Sequence, residues 1–108
     1  MPVLAIDLGT TKICMLALEE AEGRMLEVFS APAPCLPARS AGEHLQDPEG
    51  TLRLVEEGLA SLMGRHGPFS CIGISGQMHG ILYVDECGRA VSPLFTWQHQ
   101  EGAGLVPY

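Results

Sequence analysis

Three short stretches carry the residues able to do chemistry. The first, Asp7-Leu8-Gly9-Thr10-Thr11-Lys12, gathers a carboxylate, a glycine, two hydroxyls and an ammonium at the end of an apolar run. A carboxylate at a strand end can hold magnesium directly or through water, because that cation prefers oxygen ligands and keeps several waters. Glycine and threonine in the next turn let backbone N–H groups and hydroxyls approach phosphate oxygens, and Lys12 adds positive charge. The same residues also suit a plain hairpin turn. The spacing is not that of a Walker loop.

The second stretch, Cys71-Ile-Gly-Ile-Ser-Gly-Gln-Met-His-Gly80, is an apolar run that breaks into an amide, a thioether and an imidazole between glycines. Gly76 and Gly80 give the backbone room to turn, Gln77 and His79 supply directional hydrogen bonds, and Met78 supplies an adaptable apolar wall. That combination suits a polyol; a satisfied core histidine is the alternative. In the third stretch, Trp97 can pack on the apolar face of a sugar, with Gln98 and His99 reaching its hydroxyls, or Trp97 can simply fill core.

These groups need elements to position them. Val3–Asp7 reads as a strand, Lys12 onward as a second and Arg24–Pro32 as a third, an antiparallel meander joined by tight turns. The prolines and small residues of 31–42 favour an extended loop. Asp47, Pro48 and Glu49 then form a helix start: a capping acid, proline in the first turn and negative charge at the positive end of the dipole. Leu52, Val55, Leu59, Leu62 and Met63 recur at helical spacing until Gly64–Gly67 and Pro68 stop the helix.

Phe69–Ser75 reads as a buried strand running parallel to the first, because a helix crossover separates it from the meander. A hairpin-like pair follows, with Asp85–Gly88 as its turn. The order β, β, β, α, β opens an α/β fold: a partial actin-like, or ribonuclease-H-like, domain with a mixed sheet and a flanking helix.

Composition narrows the function class. The 108 residues are 46% hydrophobic, with a mean hydropathy of +0.18, as expected of one soluble domain. Thirteen acidic and six basic residues give a net charge of -7, which argues against nucleic-acid or anionic-membrane partners. An anionic ligand must therefore be held locally. Cys14, Cys35, Cys71 and Cys87 lack metal or redox spacing and read as small buried thiols. The N-terminus has no basic signal region, so the chain reads as cytoplasmic.

Taken together, "AIDLGTTK", "IGISGQMHG" and "TWQ" at these positions resemble the N-terminal end of the FGGY carbohydrate kinases, the xylulokinase and sedoheptulokinase branches above all. The resemblance implies a cytoplasmic transferase with two actin-like domains that moves the γ-phosphate of ATP to a sugar hydroxyl. It makes residues 1–108 the N-terminal portion of the first domain. By the same resemblance Asp7 organises magnesium, Gly9, Thr10, Thr11 and Lys12 face the phosphates, and Gln77, Met78 and His79 line the sugar pocket with Trp97, Gln98 and His99.

The resemblance also implies that the catalytic base and the second domain come from sequence beyond residue 108, so the chain alone is expected to be inactive. Lys12 stands where the family usually has serine, His99 where it has aspartate and Glu101 where it has arginine. Those departures leave a second expectation, a non-catalytic sugar-binding or interaction module. An incomplete sheet with exposed strand edges is expected to pair with a second copy.

Overall fold

The computed structural model describes residues 1–37, 44–78 and 80–96, which divide into two compact units. The first comprises 1–33 and 52–77; the second comprises 34–51 and the residues from 78 onward.

The first unit is built on the meander that the turn signals predict. Strands β1 (Pro2–Leu8), β2 (Lys12–Glu19) and β3 (Arg24–Pro32) pair antiparallel, with Leu4 opposite Ala17, Ile6 opposite Met15, and Met15 opposite Phe29. Gly23 takes φ of 63° at the β2–β3 turn, a left-handed conformation that glycine adopts without a Cβ clash. Alternation along β1 and β2 sends Leu4, Ile6, Ile13, Met15 and Ala17 to one face, where all are buried.

Helix α1 (Pro48–His66) covers that face from Leu52 onward. Leu62 is fully buried and Val55 and Leu59 pack against the same core, at the spacing of one helical face. Leu52 and Met63 do not join them; they flank the buried stripe at 56% and 44% exposure. Gly58 takes the central contact instead, and the sequence pattern did not mark it.

Strand β5 (Ile72–Gly76) pairs parallel with β1, giving the sheet order β3-β2-β1-β5. The parallel pairing agrees with the sequence, but the burial expected of this strand is not found. All five residues of β5 are exposed, Ile74 at 70%, because β5 is the edge strand and the core cluster under α1 is drawn from β1, β2 and β3.

At the far end of α1, Glu27 of β3 accepts hydrogen bonds from Arg65 and from His66, the latter at 2.8 Å. The Arg65 guanidinium first, and the His66 ring second, hold the Glu27 carboxyl down to about 2. The last helical turn is thereby fastened to the sheet.

The second unit is sparser. Strands β4 (Leu45–Gln46) and β6 (Leu94–Phe95) pair antiparallel, and Ile81 exchanges backbone hydrogen bonds with Phe95 at 3.0 and 2.9 Å. The expected hairpin around 85–88 survives as a turn with isolated bridges rather than paired strands: Val84 meets Ala90, and Asp85 Oδ1 accepts from the N–H groups of Cys87 and Arg89. Asp47 precedes Pro48 as expected of a cap, and its carbonyl accepts the Thr51 N–H at 3.0 Å.

The cysteines also depart from expectation. Cys35, Cys71 and Cys87 are exposed and Cys14 half-buried, and no disulfide joins them. Cys71 is exposed for the same reason as β5: it borders the edge strand. Among the described residues, no helix is long and apolar enough to cross a membrane.

Two outcomes follow from this packing. A Cβ at Gly58 would lie 2.5 Å from Met15 Sδ and 3.0 Å from the Phe29 ring, with Met15 fully buried. Gly58→Ala gains about 1 kcal/mol of helix propensity but incurs roughly 1–3 kcal/mol of overpacking. Urea melts should therefore show a net loss of about 1 kcal/mol; an unchanged or higher midpoint would mean that Met15 and Phe29 yield.

The second concerns acid. Because the folded carboxyl of Glu27 titrates near 2 rather than 4.5, its contribution is complete above about 4.5 and vanishes as pH falls toward 2. Urea midpoints of the wild type and Glu27→Gln should differ at neutral pH and converge through that window. A gap that persists at pH 2 would refute the clamp.

Candidate functional site

Strands β1 and β5 run parallel, so their C-terminal ends lie side by side, the end at which open α/β sheets bind ligands. Two of the three chemistry-bearing stretches begin there. Register pairs Asp7 with Ser75 and Leu8 with Gly76, and the ladder is extended by the Gln77 N–H donating to the Leu8 carbonyl at 3.1 Å.

Asp7 lies on the sheet face opposite the α1 core, where it is exposed. The Ser75 hydroxyl donates to its Oδ1 at 2.9 Å. Directly after β1 the chain turns through Gly9, Thr10 and Thr11, closed by the Gly9 N–H bonding to the Lys12 carbonyl at 3.1 Å. A Cβ on Gly9 would sit 2.7 Å from that carbonyl oxygen, which is too close for any other residue without moving the turn, and 3.9 Å from Asp7 Oδ2. The turn is held from the other side as well: the Thr11 carbonyl accepts the Ala33 N–H at 2.9 Å. The side chains of Thr11 and Lys12 stay exposed.

Asp7, Lys12 and Ser75 line one open groove of about 530 Å³, floored by Ala5, Cys14, Leu16 and Gly73. Its walls carry a carboxylate, an ammonium and a hydroxyl over an apolar floor. Among the described residues no three metal-ligating side chains converge. The single carboxylate of Asp7 beside an open groove fits a cation completed by water and phosphate oxygens, the manner of magnesium.

The second stretch divides. Gln77 is half-buried, with its side-chain oxygen shielded from solvent, whereas Met78 is 70% exposed. Gly76 is not sterically required, since a Cβ there would meet Leu8 at an ordinary 3.7 Å; at Gly80 the space is tighter, 3.2 Å from Leu94. His79, Trp97, Gln98 and His99, together with Glu101, lie outside the described residues.

Sequence reasoning missed Ser75, which read only as the last residue of an apolar strand. The signal was available: if 69–75 pairs parallel with 3–7, the strand-end serine stands beside the strand-end aspartate.

Comparison with known proteins matches this architecture. The model of the FGGY family of carbohydrate kinases, N-terminal domain, matches residues 2–107. Xylulose kinase of Staphylococcus epidermidis is 32% identical over 99 residues and that of Staphylococcus xylosus 28% over 97, each match covering 88% of this chain. The chain spans only 20% of the length of either relative. Xylulose kinase of Lactobacillus acidophilus superposes with a TM-score of 0.86 at 20% identity, over 96% of this chain and 21% of that one, a likeness of fold. By its sequence and its sheet, the chain belongs to the FGGY family of carbohydrate kinases, within the N-terminal domain.

Proposed function

We propose that residues 1–108 are the N-terminal portion of the first actin-like domain of a cytoplasmic, ATP-dependent carbohydrate kinase. Its reaction transfers the ATP γ-phosphate to a hydroxyl of a ketose such as xylulose or sedoheptulose. The observation that carries this reading is the convergence of the Gly9 turn, Asp7 and the Gln77 strand end at the C-terminal ends of β1 and β5.

In this reading Asp7 organises magnesium, directly or through water, and Gly9, Thr10, Thr11 and Lys12 face the ATP phosphates. Bound magnesium supplies charge neutralisation at the phosphates. Gln77, Met78 and His79, with Trp97, Gln98 and His99, contact the sugar; the amide and imidazole groups pair with hydroxyls, and the indole covers an apolar ring or chain face. The Gln77 backbone is fixed by Leu8, so its amide side chain starts from a rigid anchor.

Phosphoryl transfer needs positioning, charge neutralisation and a base for the attacking hydroxyl. None of the assigned residues is that base. The isolated chain should therefore give no sugar-dependent ADP above background in a coupled assay with ATP, magnesium and xylulose or sedoheptulose. Turnover that depends on the sugar would contradict this.

His99 and Glu101 favour a second reading, in which the chain derives from a sugar kinase but serves as a binding or interaction module. Ketose binding with no transfer even in the longest natural polypeptide containing these residues would decide for it.

The exposed edge of β5, with Ile72 and Ile74 at 46% and 70% exposure, supports pairing with a second copy of the chain. Light scattering at high concentration should report twice the mass of one chain; a strictly monomeric species would overturn the dimer.

A further inference from the structure

An exposed carboxylate at a strand end ordinarily samples several rotamers, and a cation that needs one of them must work against that freedom. Asp7 is not left in this state. The Ser75 hydroxyl, 68 residues away in sequence, donates to its Oδ1 at 2.9 Å. The hydroxyl is itself delivered from a ladder and not from a loop: on one side of it Cys71 accepts the Leu4 N–H at 3.1 Å, and on the other Leu8 accepts the Gln77 N–H at 3.1 Å.

With Oδ1 engaged, Oδ2 lies over the Gly9 turn, 3.9 Å from the point where a Gly9 Cβ would stand. Lys12 borders the same groove, yet among the described residues no ion pair engages that oxygen. A serine hydroxyl has one proton to give and two lone pairs to keep, so a bond to Asp7 still leaves it able to accept from a water of the cation's shell.

We infer that Ser75 is a positioning residue for the Asp7 carboxylate: it fixes Oδ1 and presents Oδ2 to a divalent cation arriving with phosphate oxygens at the Gly9 turn. This rests on the reading of Asp7 as the cation-holding residue. Hydrogen-bond partners of metal-binding carboxylates act in this way, setting the orientation and basicity of the group that touches the ion.

The test uses manganese as the probe, followed by line broadening of assigned backbone amides in the isotopically labelled 108-residue chain. In the wild type, broadening should centre on Asp7, Gly9 and Ser75 at the lowest manganese concentrations, and Asp7→Asn should abolish it there. Ser75→Ala should weaken manganese binding at this position about tenfold, as expected for loss of an outer-shell partner. Ser75→Thr keeps the hydroxyl and should restore it.

Failure of the two ideas is distinguishable. If Asp7→Asn leaves the broadening unchanged, the cation reading of Asp7 falls, and this inference with it. If Asp7→Asn abolishes binding but Ser75→Ala binds as the wild type does, Asp7 stands and the role of Ser75 is overturned. A Ser75→Ala chain whose urea midpoint drops while its manganese affinity is unchanged would mark the bond as an edge-strand tie only. Should Ser75→Ala not fold, Ser75→Thr and Ser75→Cys carry the comparison: full affinity with threonine and about tenfold loss with cysteine is expected, and equal affinity in both would overturn it.

Discussion

The parallel pairing of β1 with β5 is the constraint on which the site depends. Antiparallel neighbours put opposite ends together, so β2 could return the chain beside β1 but could not bring a second C-terminal strand end next to the first. A crossover through α1 does so, and the result is local: Asp7 and Ser75 become neighbours, and the Gly9 turn and Gln77 leave the sheet at the same C-terminal end. A register slip of one residue would send Ser75 to the opposite face and break the pairing with Asp7.

The rest of the first unit secures that register. Burial of Leu4 and Ile6 on one face forces Ala5 and Asp7 to the other, so the hydrophobic pattern of β1 aims the carboxylate. Helix α1 holds the buried face through Val55, Leu59 and Leu62, and its last turn is tied to β3 by Glu27, Arg65 and His66. Gly58 lets the helix approach Met15 and Phe29 closely enough for the core to close. Packing on one side of the sheet thus fixes where Asp7 and Ser75 stand on the other.

Much of this was legible in the residues. The glycine-bearing turns, Asp47 before Pro48 and the spacing of Val55, Leu59 and Leu62 announced the meander, the helix and its core face. Asp7 with Gly9, and Gln77 after a strand, marked residues that the parallel ladder brings to adjoining strand ends. What escaped depended on partners rather than on local pattern. Ile72 and Ile74 read as core because an apolar run looks the same at a sheet edge as at its centre, and only the strand order exposes them. Gly58 has no side chain to register in a hydrophobic pattern. Ser75 gains its meaning only from Asp7 across the sheet. The two-residue strands β4 and β6 are too short to leave a periodic signal.

The most direct test of this account is the β1–β5 register itself, measured through cross-strand nuclear Overhauser contacts and amide exchange in the labelled chain. The account requires contacts linking Asp7 to Ser75 and Ala5 to Gly73, together with slowed exchange of the Gln77 amide bonded to Leu8. Contacts pairing Ser75 with Ala5 or Gly9, or a Gln77 amide that exchanges as freely as an unpaired one, would contradict it.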